Sequence, residues 1–551
     1  MTSSEAEPVP AAAAAAASMP SADASGSAAG APGAAATPAG GGAPGAVDYE
    51  ALYEQIKDKP CHVVQINQRK DGFNGGTFRT RASLIERELE PIYQAQTLAE
   101  VHTEMEAAGK RLRQLGVFTG VSMLAHEEPL DDPTACTVEL AVEESNWFKL
   151  RAATYVQGGE STFELGAGLT NAAGGAEALT ANVEYGMENS HTATLAFKQP
   201  RVGGLPATLE VKGSQLFRNN QKSSSYTEQL RGAVLALRSM DGSQGLEYEL
   251  GWRRLLDPSR SASRAVMAQM GDYLLSSLRY TATLDRREPG AGGAAATLGG
   301  AGWAVRSTTE LAGLLPPSGA GAAGAGGAGG GVGIGGGGGA GGGGSPSSEL
   351  RYVRQQVDVV ANVPMEDTGA VVFSVGASAG LLLPWGPEGA LTRPSCIADR
   401  FFLGGPSSLR GFKYKGVGPT DVRRPPEARA GASSDSASAA PRRDALGGDA
   451  YTSIFASLMF QLPHPALKLL RLHGHAFVNG GNVIQLAGTG RSPSELLSEW
   501  GGSWRWSCGA GLVLPTPFGR FEANYCVLLS AQEHDRVKRG LQLGFAASSV
   551  A

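Results

Sequence analysis

The chain has 551 residues, enough for more than one domain, with 18% charged residues and 78 glycines, about twice the usual glycine frequency. Its net charge of −5 argues against a general nucleic-acid binder, since such proteins carry basic surfaces. Five cysteines without CxxC spacing argue against a full disulfide framework, and the lack of a strongly apolar run of 18 or more residues argues against a transmembrane helix.

Residues 1–48 consist mainly of Ala, Gly, Pro and Ser. A segment of this composition cannot bury a core, so we predict a disordered tail. The first basic residue is Lys57. Because secretory leaders begin with basic residues and mitochondrial presequences are rich in arginine, we expect no N-terminal targeting signal.

Residues 49–145 predict a small α+β domain. Strand patterns occur at 62–67, 117–124 and 137–142, and a first helix is predicted over about 83–91. A second helix is marked by apolar residues at steps of three and four: Leu98, Val101, Met105, Ala108, Leu112 and Leu115. The predicted order is β-α-α-β-β.

The remainder, residues 146–551, shows the pattern of a transmembrane antiparallel β-barrel. Segments of about ten residues alternate in polarity and are separated by turn residues. A membrane protein without helical spans has to be a closed barrel, because only closure pairs every backbone group in lipid. The predicted strands are 148–157, 161–170, 177–187, 190–199, 205–215, 226–238, 244–255, 263–270, 274–284, 300–315, 349–361, 369–383, 451–461, 470–480, 504–514, 518–529 and 538–546. These are seventeen segments, one more than an even-numbered barrel of the bacterial type would have. The short segment 263–270 fits the pattern least well.

Two segments interrupt the barrel pattern. Residues 316–347 are almost all Gly, Ala, Pro and Ser, and residues 421–449 are rich in Ala, Ser, Pro and Arg. We expect both to be flexible insertions outside the membrane.

Between the insertions, residues 395–419 have the sequence SCIADRFFLGGPSSLRGFKYKGVGP. Gly404 and Gly405 allow positive φ and Pro406 fixes φ, so this segment has to turn. Considered by itself, it could be a glycine-rich hairpin with one solvated arginine, Arg410.

The same segment resembles the signature loop of the outer-membrane β-barrel assembly family (bacterial surface antigen family), and in particular its mitochondrial branch, the sorting and assembly machinery. The residues that match the family pattern are Arg400, Phe401, Leu403, Gly404, Gly405, Pro406, Ser408, Arg410, Gly411 and Phe412. The resemblance implies about sixteen strands and a loop that folds back into the lumen, where Arg410 meets an acidic or aromatic patch. A buried guanidinium needs such a partner, because an unpaired buried charge is very costly.

Glu522 is a candidate partner for Arg410 on the inner wall. In residues 518–527, Phe521, Ala523, Tyr525 and Val527 alternate with Arg520, Glu522 and Asn524. In a barrel the apolar set faces lipid and the polar set faces the lumen.

The C-terminal strand resembles the β-signal of the family's substrates, with Lys538, Gly540, Leu543 and Phe545 at the matching positions. The family's last strand usually continues as a glycine-rich run ending in an aromatic, whereas here residues 546–551 are AASSVA. This departure leaves open the register of the last strand and its pairing with the first.

The resemblance implies an insertase for β-barrel precursors in the mitochondrial outer membrane. Its mechanism would be a lateral seam between strands 148–157 and 538–546, while Arg410 and its loop brace the lumen. The implied partners are barrel precursors, accessory subunits and the lipid bilayer, without nucleic acid.

The N-terminal α+β domain resembles the POTRA module of the same family. Such a module can bind an incoming chain at its sheet edge by β-augmentation, or it can act as a rigid spacer. The sequence leaves both roles open.

We expect no enzyme activity, cofactor or metal. His473 and His475 share one strand face, but no further ligands cluster nearby. Three alternatives remain: a plastid outer-envelope relative, which the single POTRA-like module disfavours; a passive outer-membrane solute channel; and a soluble binding protein.

Overall fold

The computed structural model describes residues 56–547, except for 72–76, 128–131, 133, 158–159, 288–300, 316–349, 366–369, 387–390, 425–441 and 517–518. The tail predicted over 1–48 and the insertion predicted over 316–347 lie outside the described residues.

The N-terminal region forms a three-stranded sheet covered by two helices. Its elements are β1 His62–Lys70, α1 Ala82–Leu89, α2 Leu98–Gln114, β2 Phe118–Glu127 and β3 Ala135–Glu144. The strand order is β1-β3-β2, with β3 parallel to β1 and antiparallel to β2. The predicted order of elements is therefore confirmed.

Helix α2 has a polar start and a buried apolar face. The Thr97 hydroxyl accepts a hydrogen bond from the Glu100 amide, which satisfies one of the free N–H groups at the helix start. Val101, Ala108 and Leu112 are fully buried against the sheet. This burial drives the packing of the helix on the sheet.

The rest of the chain forms one sheet of sixteen antiparallel strands, β4 to β14 and β17 to β21, that curls into a barrel. Its strands are β4 Phe148–Gln157, β5 Glu160–Thr170, β6 Ala178–Gly186, β7 His191–Gln199, β8 Ala207–Asn219, β9 Thr227–Ser239, β10 Gln244–Leu256, β11 Gly271–Asp285, β12 Gly302–Ala312, β13 Tyr352–Pro364, β14 Val371–Pro384, β17 Ala450–Gln461, β18 His473–Ile484, β19 Arg505–Thr516, β20 Gly519–Ser530 and β21 Gly540–Ala547. The predicted barrel of about sixteen strands is confirmed.

One predicted strand is wrong. Residues 263–270 lie in the connection between β10 and β11, where a short helix runs over Arg264–Met267. The Ser263 hydroxyl accepts a hydrogen bond from the Val266 amide and caps this helix. Val266 is fully buried in the apolar core at the barrel mouth. A single turn of helix therefore buries the apolar side chain of this segment without a strand.

The connections between barrel strands carry short helices in the described residues: α3 Gln221–Ser224, α4 Arg264–Met267, α5 Pro465–Leu469 and α6 Pro493–Gly502. None of the helices in the described part of the chain combines the length and the apolar character that a membrane crossing needs.

The insertion predicted as flexible over 421–449 is structured at both ends. Strands β15 Thr420–Val422 and β16 Arg443–Ala445 pair as a two-stranded ribbon. Asp444 is completely buried and accepts hydrogen bonds from Ser225 Oγ (2.7 Å) and the Ser263 amide (2.9 Å). The predicted flexible segment was therefore too long. The polar residues at its ends form hydrogen bonds with neighbouring loops and are ordered.

The alternation of the barrel strands follows the predicted division between lipid and lumen. On β20, Phe521, Tyr525 and Val527 are exposed on the outer face, whereas Asn524 is fully buried on the inner face. On β21, Leu541 and Leu543 are exposed by 62% and 67%, and Gln542 between them by 2%.

The N-terminal region rests on two barrel turns. The Arg81 amide donates to the Gly174 carbonyl (2.9 Å) in the turn between β5 and β6. Arg201, in the turn between β7 and β8, donates to Glu88 of α1 (2.6 Å), and Glu88 is buried. Because a buried carboxylate is costly without its partner, this pair restricts the orientation of the region.

Candidate functional site

The signature segment 395–419 is part of a longer loop, residues 391–424, that folds into the mouth of the barrel. We refer to residues 391–424 as the inward loop. Six of its apolar side chains are nearly or fully buried: Ile397, Phe401, Leu403, Leu409, Phe412 and Val417. They share one core with wall residues that include Leu275, Tyr352, Tyr451 and Val483. The loop is thus a packed part of the lumen.

Glycines determine how tightly the loop turns. Gly404 has φ 114°, and a Cβ at this position would overlap the Lys413 carbonyl oxygen. The Gly404 amide donates to the Ser408 hydroxyl (2.9 Å), which closes the turn around Pro406. Gly411 has φ 86°, so a side chain would be strained there as well. The motif therefore contains the residue types that this backbone requires.

Arg410 and Glu522, the pair expected from the sequence, lie in contact. Arg410 Nη2 is 2.9 Å and Nε 3.3 Å from Glu522 Oε2, and both side chains are largely buried. Arg520 Nη2 lies 2.6 Å from the other oxygen of Glu522. The Arg410 guanidinium also lies 5.0 Å from the centre of the Phe477 ring. The arginine therefore meets both an acidic and an aromatic partner.

The tip of the loop is also bound to the last barrel strand. The Gln542 side chain accepts from the Gly411 amide (2.9 Å) and donates to the Phe412 carbonyl (3.1 Å). Three backbone hydrogen bonds join the loop to the segment before β21: Lys413 N to Arg536 O (2.8 Å), Arg536 N to Gly416 O (2.7 Å) and Lys538 N to Gly411 O (2.8 Å). Loop and last strand thus form one hydrogen-bonded unit.

Gln542 was not identified from the sequence. Its position between Leu541 and Leu543 places it on the inner face of β21, and this alternation is the one signal that points to it.

The base of the loop is bound to the opposite wall. Arg253 on β10 lies 2.7 Å from Asp399 Oδ1 and 3.1 Å from Glu228 Oε1 on β9, and all three side chains are buried. Tyr352 on β13 donates to Glu310 (2.9 Å) beside them. This second ionic contact was also not identified from the sequence, although Asp399 precedes Arg400 of the motif.

Arg400 has a role within the loop. Its guanidinium donates to Ser395 Oγ (2.7 Å), the Ser395 carbonyl (3.0 Å) and the Leu446 carbonyl (3.1 Å). Asp449 Oδ1 lies 3.9 Å from Arg400 Nε. The other oxygen of Asp449 accepts hydrogen bonds from the amides of Leu486 and Ala487 (2.8 Å each). Arg400 thus joins the beginning and the end of the long connection between β14 and β17.

The four β-signal positions lie in and just before β21. Lys538 binds Gly411 through its backbone amide, and Gly540 begins β21 with φ 84°. Leu543 faces outward, and the Phe545 ring packs 4.3 Å from that of Phe521. The two hydrophobic positions therefore lie on the lipid side of the strand.

The barrel has a join between its first and last strands. Cα atoms of β4 and β21 approach to within 8 Å. Within the described residues of these strands, no backbone hydrogen bonds pair β4 with β21. The other neighbouring strands are paired along most of their length, for example β20 with β21 from Gly519 to Cys526. The join is thus the weakest line in the wall.

Known proteins resemble this chain along most of its length. The model of the Omp85 superfamily domain matches residues 171–548. The Xenopus laevis protein "Sorting and assembly machinery component 50 homolog B" is 29% identical over 481 residues, which is 85% of this chain and 88% of that protein. The Homo sapiens protein "Sorting and assembly machinery component 50 homolog" is 28% identical over 507 residues, 90% and 92% of the two chains.

A solved structure has a similar fold. BamA from Haemophilus ducreyi lacking POTRA domains 1–3 superimposes with a TM-score of 0.60 at 16% identity, and covers 88% of this chain and 84% of that one.

Proposed function

Because the chain belongs to the Omp85 superfamily, we propose that it is the core insertase that folds β-barrel precursors into the mitochondrial outer membrane. The location expected from the sequence, the mitochondrial outer membrane, is confirmed by the sorting and assembly machinery relatives. The proposed partners are barrel precursors, accessory subunits of an assembly complex and the surrounding lipid.

The unpaired join between β4 and β21 carries this proposal. Opening the join exposes a row of free N–H and C=O groups along β4. The terminal strand of a precursor can pair with this row, and later strands can add in turn. Since each unpaired backbone group in hydrocarbon costs several kcal/mol, such an edge lets a strand enter lipid with its bonds already made.

The inward loop supports an asymmetric opening. Gln542 and the backbone of 536–538 bind β21 to the loop tip, which is held in turn by Glu522. β4 has no contact of this kind to the loop in the described residues. We therefore assign the movement to the β4 side, while β21 stays with the loop.

The loop also argues against a passive solute channel. Its buried apolar side chains fill the barrel mouth and share a core with the wall. For the N-terminal region, the buried Glu88–Arg201 pair supports a fixed position beside the barrel turns. From that position the edge strand β2 could receive a precursor strand by β-augmentation.

Cysteine crosslinking tests the proposal. Leu150 on β4 and Leu195 on β7 are both exposed on the outer face, by 69% and 56%. We expect Leu150→Cys to crosslink to a cysteine in the terminal strand of a stalled precursor, because neighbouring strands bring such side chains within about 5 Å. Leu195→Cys is the matched control. Equal crosslinking at both positions, or none at Leu150→Cys, would contradict the proposed entry at β4.

A further inference from the structure

Two cysteines face each other in the N-terminal region. Their sulfur atoms, Cys61 Sγ and Cys136 Sγ, are 3.1 Å apart, although the residues are separated by 75 positions in the sequence. Cys61 directly precedes β1, and Cys136 is the second residue of β3. Both are free thiols.

The backbone holds this pair in place. The Cys61 amide donates to the Gln96 carbonyl (2.9 Å), and the next amide, His62, donates to the Thr134 carbonyl (2.9 Å). Val63 and Cys136 are direct partners in the parallel pairing of β1 with β3. The approach of the two sulfur atoms is therefore determined by the sheet and does not depend on a mobile loop.

The two thiols differ in their access to solvent. Cys136 is buried, whereas Cys61 is partly exposed at the rim of the same apolar core. Burial raises the pKa of Cys136 to about 12, and the neighbouring Cys61 sulfur contributes to the rise. Cys61 is thus the thiol that a reagent in solution reaches first.

The three remaining cysteines show no such arrangement. Cys508 pairs with Val527 and Cys526 with Gly509, so the side chains of Cys508 and Cys526 lie on opposite faces of neighbouring strands. Cys396 lies in the inward loop and packs against its apolar core. In the described part of the chain, Cys61 and Cys136 are the cysteines whose sulfur atoms lie in contact.

We propose that Cys61 and Cys136 form a redox-sensitive modification site that a small-molecule disulfide, such as oxidised glutathione, converts to an intramolecular disulfide. The Cys61 thiolate attacks one sulfur of the reagent, whose S–S bond breaks and releases one thiolate. Cys136 then loses its proton and attacks Cys61 Sγ, which releases the second thiolate. The two cysteines lose two electrons and two protons, and the reagent is reduced to two thiols.

The new bond would connect the starts of β1 and β3. Through the hydrogen bond between Cys61 and Gln96 it would also restrain the segment before α2. Because a crosslink across a long stretch of chain restricts the unfolded ensemble, the oxidised region should be more resistant to heat than the reduced one. This inference does not depend on the proposed insertase function.

Counting thiols in the full-length protein tests the site. After exposure to oxidised glutathione, the protein is unfolded in acid and labelled with a maleimide polymer. We expect the native chain to lose two of its five reactive thiols, and peptide mapping without reductant to find the segments around Cys61 and Cys136 linked. Cys508→Ser is the matched control and should lose the same two thiols. Cys61→Ser should yield no linked peptide.

A second measurement distinguishes formation of the disulfide from unfolding of the N-terminal region. The unfolding temperature of the N-terminal region should rise on oxidation in the native chain and in Cys508→Ser, and stay unchanged in Cys61→Ser. Five labelled thiols after oxidation, or a mixed disulfide that stops at Cys61, would overturn the proposal.

Discussion

Arg253 on β10 and Asp399 at the base of the inward loop form a buried ion pair, with Nη1 and Oδ1 2.7 Å apart. Counted from β4, β10 is the seventh barrel strand, and β20, which carries Glu522, is the fifteenth. The two ionic contacts of the loop therefore lie half a circumference apart. The loop crosses the lumen and is fixed at both walls.

Asp399→Asn should destabilise the barrel. The substitution removes one of the two acids that neutralise Arg253, and the arginine stays buried with Glu228 alone. Breaking a buried pair in this way costs about 3 kcal/mol. We expect a lower unfolding temperature of the purified barrel, measured by its shift in electrophoretic mobility on heating.

The neighbouring pair Arg254–Asp272 provides the control. Its atoms approach to 2.5 Å, but its side chains are 49% and 44% exposed. Exposed pairs contribute about 0–1 kcal/mol, so Asp272→Asn should leave the unfolding temperature almost unchanged. A similar loss in both variants would show that the position of Asp399 in the lumen is unimportant.

The sequence predicted one of these two contacts for a physical reason. Alternation along β20 placed Glu522 on the inner face, and the family resemblance implied an acidic or aromatic patch for Arg410. Arg253 also lies on an inner face, but many polar residues do. Alternation specifies a face, whereas the reach of a loop across 146 positions depends on its fold. The second contact therefore could not be predicted.

The errors at 263–270 and 421–449 have a related origin. Both segments belong to connections at the barrel mouth, and their ends meet at Asp444, which binds Ser263 and Arg423. Composition distinguishes polar from apolar residues. It does not indicate whether a polar group bonds to water or to another loop, and this choice decides whether such a segment is ordered.

Gln542→Leu should loosen the loop from the last strand. The change removes both side-chain hydrogen bonds and leaves the Gly411 amide and the Phe412 carbonyl buried without them. Each unsatisfied group costs about 1–3 kcal/mol. We expect faster hydrogen exchange in residues 409–417 of the full-length protein, measured by mass spectrometry.

Leu541→Ala is suitable as its control, because Leu541 faces outward on the same strand. Its exchange over 409–417 should match that of the native chain. If Gln542→Leu also left exchange unchanged, the three backbone hydrogen bonds between residues 411–416 and 536–538 would be sufficient to hold the loop without Gln542.

The stability of the N-terminal region should depend on pH through Glu144. This carboxylate accepts hydrogen bonds from Thr80 N (2.9 Å) and Thr80 Oγ1 (2.7 Å), and Lys70 Nζ lies 2.8 Å away. Burial raises the pKa of Glu144, but these hydrogen bonds and that of the Arg79 amide outweigh it and lower the pKa from 4.5 to about 2.

A lowered pKa in the folded state means that the unfolded region binds a proton first as the pH falls. The stabilisation is therefore complete above pH 4.5 and is lost towards pH 2. Unfolding by urea can be followed by the accessibility of Cys136. The difference in urea midpoint between the native chain and Glu144→Gln should be constant above pH 5 and shrink below it. The exposed neighbour Glu143→Gln should show no such trend. A difference that persists unchanged at low pH would rule out this carboxylate as the cause.

Arg410→Ala should impair the insertion of precursors more than it lowers the protein's own level in the membrane. The loop keeps its apolar core, its bonds to Gln542 and its second ionic contact at Asp399, so the barrel should still fold. The loop tip, however, loses its contacts with Glu522 on β20 and Phe477 on β18. We expect a severalfold lower yield of assembled precursor per molecule of barrel in isolated membranes.

Arg491→Ala is the control. It breaks a solvent-exposed pair with Glu499 in the connection between β18 and β19 and should leave this yield unchanged. Equal losses of insertion and membrane level in Arg410→Ala would mean that the arginine serves the folding of its own barrel and not the insertion of other chains.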